Sequence, residues 1–146
     1  MAARGISKLR STVRVQDRSQ AFFDKARTDI EKLVHQTAFR VAINAARSMQ
    51  ESPSKAPDPP GVLTGTLRAS IDVDSFRDGT NTFVARTGSN LEYARALELG
   101  SPSRNLLPRP FLRPAFREEG LTDNGFLPNS PFGKRLAAIM KKAMGG

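Results

Sequence analysis

The residues with chemistry to offer are few, and their spacing argues against catalysis. Glu92 and Glu98 are the only acids near the most distinctive stretch of the chain, Tyr93 to Phe116. Paired carboxylates act as general acid and base when both face one bond, but six residues apart on a short helix they fall on different faces. His35 is the only histidine, set among Val34, Gln36 and Ala38, and cysteine is absent. Without cysteine there is no disulfide, thiol nucleophile or thiolate metal site, and one imidazole completes neither a metal nor a catalytic set. No catalytic residue, metal or cofactor is expected, and the chain reads as a non-enzyme.

A different kind of chemistry sits just beyond Gly100. Arg104, Arg109, Arg113 and Arg117 share residues 101 to 117 with no acid, alongside Pro102, Pro108, Pro110 and Pro114. Proline fixes φ and removes the amide donor, so this arm is expected to project rather than extend a helix or enter the middle of a sheet. Phe111 and Leu112 then stand at its tip, and an exposed apolar tip marks a surface that another chain covers. Pro108, Pro110, Phe111, Leu112, Pro114 and Glu98 are the candidate subunit interface. Glu98 is expected to pair with an arginine of the arm, or of a neighbour's arm, and to fix its exit angle.

Composition sets the frame around that arm. The chain has 146 residues, of which 38% are hydrophobic with no tryptophan, so a single domain with a small core is expected. Its net charge of +9 is unevenly placed: residues 19 to 100 carry ten charges of each sign, while the excess lies in the arm and both ends. Positive potential on extensions attracts polyanions, nucleic acid above all, or else the acids of other subunits. No run of about 18 apolar residues and no signal-peptide pattern is present, so a soluble chain made in the cytoplasm, away from membranes, is expected.

The elements that hold the arm follow in order. Residues 1 to 18 (five bases, one acid) are expected to be a flexible basic segment. Asp17 and Gln20 resemble a capping box, and Phe22, Ala26, Ile30, Leu33, Val34, Thr37, Val41, Ala45 and Met49 recur at steps of three and four, predicting one long helix to about Glu51. Phe23 and Phe39 lie off that stripe and are candidates for a second contact. Pro53, Pro57, Pro59 and Pro60 make a stiff linker. Thr64 caps a short turn, then Ile71 to Ser75 and Thr82 to Thr87 alternate about an Asp78-Gly79 turn as a hairpin that needs a third strand or the long helix, with residues 106 to 112 as one possible edge strand. Ser89 or Asn90 caps a short helix ending at Gly100. After Phe116 the chain reads as loop, and Ser130 with Pro131 starts a final helix whose inner side is Leu136, Ile139, Met140 and Ala143. The fold expected is α+β: a long N-terminal helix on a small antiparallel sheet, a projecting Pro/Arg-rich arm and a short C-terminal helix. Its divisions are 1–18, a single domain over 19–117, and 118–146.

Three motifs in this order, Pro60, Thr64, Gly65, Leu67, Ser70 and Ile71, then Tyr93, Ala94, Glu98 and Gly100, then Pro108, Pro110, Phe111, Leu112, Pro114 and Ala115, resemble the neck and minor-tail (tail-completion, head–tail joining) proteins of tailed bacteriophages. The resemblance spans about residues 20 to 117. It implies a virion component between the portal-bearing head and the tail tube, working as a homo-oligomeric ring, taken here as six copies, around the channel through which the genome leaves. Its partners would be itself, the head-closure and tail-tube proteins, and, transiently and non-specifically, DNA. Arg104, Arg109, Arg113 and Arg117 would supply channel or inter-ring charge. The alternative from another class is a small basic nucleic-acid-binding protein, which no helix-turn-helix, zinc or RNA-recognition pattern supports.

Overall fold

The computed structural model describes residues 9–16, 20–49, 60, 65–79 and 82–145. The expected α+β architecture is present. Helix α1 (Gln20–Ser48) is 29 residues long, about 43 Å at 1.5 Å per residue. From Ala26 onward the apolar stripe expected on it is the stripe that is buried: Ala26, Ile30, Leu33, Val34, Thr37, Val41, Ala45 and Met49. The three-stranded sheet, α4 and α5 all pack on this helix, because a stripe this wide faces two neighbours at once. The Asp17 cap, the linker 52–59 and Thr64 lie outside the described residues, as do the side chains of Phe22 and Phe23.

The hairpin is β2 (Ile71–Arg77) and β3 (Thr82–Ser89), with Arg77 opposite Phe83 and Ile71 opposite Ser89. Asp78 N donates to Thr82 O at 2.9 Å across the turn. Among the described residues, α2 (Thr66–Ala69) lies between the linker and β2. A third strand, β1 (Leu9–Gln16), pairs antiparallel with the other side of β3, giving the order β1-β3-β2. Residues 9–16, part of the segment 1–18 expected to be flexible, thus form a strand, and the third strand comes from there rather than from residues 106–112. Most of β3 is buried on both faces, so its second row of backbone donors and acceptors needs a partner rather than water, and β1 provides it. One face of β3, Phe83, Ala85, Thr87 and Ser89, meets α1, where the Thr87 hydroxyl donates to Ala38 O at 2.9 Å.

Helix α3 (Glu92–Leu99) follows, and Gly100 ends it at φ 76°. Leu91 is its N-cap residue and has no capping side-chain bond, so the expected cap by Ser89 or Asn90 is not formed; Ser89 accepts the Leu91 amide at 3.2 Å in the turn ahead of the helix. Helix α4 (Leu112–Glu118), a small hairpin of β4 (Leu121–Thr122) and β5 (Gly125–Phe126), and α5 (Pro131–Ala143) complete the chain. The stretch after Phe116, expected as loop, thus carries a last helical turn and a two-residue ladder. Ser130 caps α5 by accepting the Gly133 amide at 3.1 Å, with Pro131 at the first helical position, as its sequence predicts. Leu136 is buried, Ile139 and Ala143 pack on the core, and Met140 stays exposed; Phe132 and Leu121 enter the same core as α1. Residues 118–145 are therefore joined to the main body rather than set apart from it.

Candidate subunit-interface site

The arm begins with a backbone reversal that only glycine makes cheaply. Gly100 has positive φ, and a Cβ there would lie 2.9 Å from Pro108 Cδ and 3.0 Å from Leu106 O. Beyond it, Ser101 and Leu106 exchange both backbone hydrogen bonds, at 2.8 and 3.0 Å, around a 3-10 turn at Pro102–Arg104. Asn105 closes this turn in the left-handed region at φ 51°, which a short polar side chain tolerates. Arg109 N then donates to Leu97 O at 2.6 Å. The arm is a hook tied back to α3, not a free projection.

Its far end is held by Glu98, which is 3% exposed. One carboxylate oxygen accepts the amides of Phe111 (2.7 Å) and Leu112 (3.0 Å), and the other accepts the amide of Arg113 (2.9 Å). The first four amides of a helix have no intrahelical partner. At the start of α4 those four positions are Phe111, Leu112, Arg113 and Pro114; Glu98 satisfies three, and proline has no amide to satisfy. The negative carboxylate also sits at the positive end of the helix dipole. Glu98 therefore does fix the arm's path, but through backbone amides rather than through an arginine.

This clasp turns Phe111 and Leu112 inward. They are 0% and 1% exposed and belong to the core with Ala115 and Phe116. The expectation that they stand at an exposed tip is corrected. Pro114 does not block α4, because proline is tolerated in the first turn, and the helix it permits carries the apolar pair into the core. What the hook exposes instead is Leu107, at 68%, next to exposed Pro108, while Pro110 and Pro114 are half-buried. Sequence reasoning missed Leu107; the adjacent pair Leu106-Leu107 in an extended segment was the available signal, since neighbours there point to opposite sides.

The arginines divide in the same way. Arg104, Arg113 and Arg117 are exposed, the last two one helical turn apart on α4, and Arg109 is half-buried. A second buried carboxylate, Glu119, also escaped the sequence: it accepts from Arg40 Nε and Arg135 Nη1, each at 3.2 Å, and ties α1 to α5. On the surface, Arg77 makes a two-pronged bond to Glu31 at 3.1 and 3.0 Å, and this bond first, then the carboxylate's charge, raises the guanidinium above its ordinary value. Phe39, one of the off-stripe residues, is 50% exposed, with Ile43 a turn further along α1.

Glu92 is exposed and Glu98 is committed to the hook. A cleft of about 290 Å³ between α1 and β2 includes Thr28, Glu31, Lys32, His35 and Ser75 in its lining. The His35 Nδ1 and the Ser75 hydroxyl are 2.9 Å apart, and the ring packs edge-on against Phe39. Among the described residues no group of three or more His, Asp or Glu side chains is placed to hold a metal, and no helix is long and apolar enough to cross a membrane.

The site is thus a clasped hook that follows a small sheet backed by one long helix. The chain belongs to the HK97-gp10-like family of bacteriophage tail components, whose model matches residues 7–100. That match runs from the start of the sheet to the glycine that opens the hook. No curated protein and no solved structure matches the chain significantly.

Proposed function

We propose that the protein is a non-enzymatic structural component of the neck or tail of a phage virion, acting in head–tail joining, tail completion or tail termination as a closed ring of copies around the DNA channel. The observation that carries this reading is the family match over residues 7–100 taken with the hook that follows it, which displays Leu107 and Pro108 on a rigid, clasped backbone. A cyclic ring repeats one heterologous contact until it closes, and a stiff protrusion meeting a separate receiving surface is such a contact. Pro108, Pro110 and Pro114 shape the protrusion, with Glu98 setting its angle. Phe111 and Leu112 support it from within.

Arg104, Arg109, Arg113 and Arg117 supply diffuse positive charge to the channel wall or to acids of an adjoining ring. A channel that attracts DNA without holding it suits screened phosphate attraction better than base-reading geometry. The mass of the purified protein in solution, followed across a concentration series, tests the reading. A discrete multiple of the chain mass that grows with concentration and then stops is the expected result. A monomer at every concentration that binds DNA tightly, and loses it steeply with salt, would replace the ring with the nucleic-acid-binding alternative.

A further inference from the structure

The sheet ends in two strands whose outer sides pair with nothing among the described residues, and those two strands carry opposite charge. Strand β1 is LRSTVRVQ, with Arg10 and Arg14 and no acid; the segment Ile71–Asp78, which holds β2, has Asp72, Asp74 and Asp78 against Arg77 alone. Strand β1 is eight residues long and β2 seven, with no proline in either. Edge strands of this length are templates for another chain unless something blunts them, and bulges or prolines are the usual means. Charge is present here instead, and it repels only a like edge.

The register places one of these arginines level with one of the aspartates. Arg10, Gly88 and Asp72 share one level across the sheet, Thr12, Arg86 and Asp74 the next, and Arg14, Val84 and Phe76 the one after. Positions 10 and 14 of β1 therefore have the same parity in the register as positions 72 and 74 of β2. The Val73 amide donates to the Asp72 carboxylate at 2.8 Å, which holds that charge beside the β2 backbone.

We infer that β2 of one copy pairs with β1 of the next, so that the sheet runs on from subunit to subunit and its basic and acidic edges select each other. The inference rests on the ring reading above and adds a sheet-edge joint to the hook's within the same contact between neighbours. Both strands are antiparallel to β3 and hence parallel to each other, so a rotation about an axis along the strands brings β2 and β1 together as a parallel pair. Like edges, β1 on β1 or β2 on β2, are opposed by their charge, which disfavours a two-fold dimer and favours the head-to-tail contact that a ring requires. Six copies of a three-stranded sheet reach the strand number, roughly 16–18, at which closed barrels leave an aqueous channel. The helical layer would then lie outside and the opposite face of the sheet would line the lumen.

Charge reversal tests this. One variant carries Arg10→Asp with Arg14→Asp, making both edges acidic; the other carries Asp72→Lys with Asp74→Lys, making both basic. Each is expected to melt cooperatively as a folded monomer and to need at least tenfold more protein than the parent to assemble. Mixed in equal amounts they are expected to regain assembly, because every contact in an alternating ring is again between opposite charges. If each variant assembles alone as the parent does, or if the folded pair stays monomeric on mixing, edge pairing is overturned while the ring itself stands. If the parent never assembles, the ring reading falls and the joint with it. Should either double variant unfold, Arg14→Asp and Asp72→Lys are compared in the same way.

Discussion

The two buried carboxylates, Glu98 and Glu119, are satisfied by opposite means, and the contrast separates the rigid part of the molecule from the adjustable part. Glu98 is met by three backbone amides, whose positions are fixed by the chain itself. Glu119 is met by the ends of two arginine side chains that are 28% and 45% exposed. When Glu98 is removed, three backbone amides lose their acceptor, two of them in buried bonds, whereas Arg40 and Arg135 can swing into water. The lesson is that the hook is built for a single geometry, while the α1–α5 junction tolerates adjustment.

Substitution sharpens this difference. Glu98→Gln keeps the shape but offers one acceptor oxygen and sets an NH2 against the amides, so a loss of about 3 kcal/mol in unfolding free energy is expected, read by urea or thermal unfolding. Glu119→Gln is expected to cost about 1 kcal/mol, since its partners are part-solvated and the amide oxygen still accepts from one of them. A larger loss at Glu119 than at Glu98 would reverse the comparison. Lys142→Ala breaks only an exposed 3.4 Å contact with Asp29, and a change of a few tenths of a kcal/mol at most is expected by the same unfolding assay.

How much of this was legible in the sequence follows from the range of each interaction. The stripe of α1 is set by steps of three and four along one helix, and the hairpin by a turn between adjacent strands, so both could be read locally. The Ser130-Pro131 start of α5 was equally plain. Strand β1 was not, because LRSTVRVQ is short on apolar residues and becomes a strand through β3, some seventy residues on. The hook was misread for a related reason: four prolines suggested projection, and nothing local revealed that Glu98 would reach 13 to 15 residues ahead to cap α4 and carry Phe111 inward.

Two apolar residues of the hook have opposite fates, Phe111 inside and Leu107 outside. Phe111→Ala empties a core position and is expected to cost about 3–5 kcal/mol of stability. Leu107→Ser changes a side chain that is 68% exposed and should leave the fold intact. The decisive measurement is sedimentation of Leu107→Ser beside the parent, with the melting temperature of each recorded. The variant monomer is expected to melt unchanged and to assemble only at tenfold or higher concentration. A variant that melts like the parent and assembles like the parent would contradict the claim that the hook is a joint between copies.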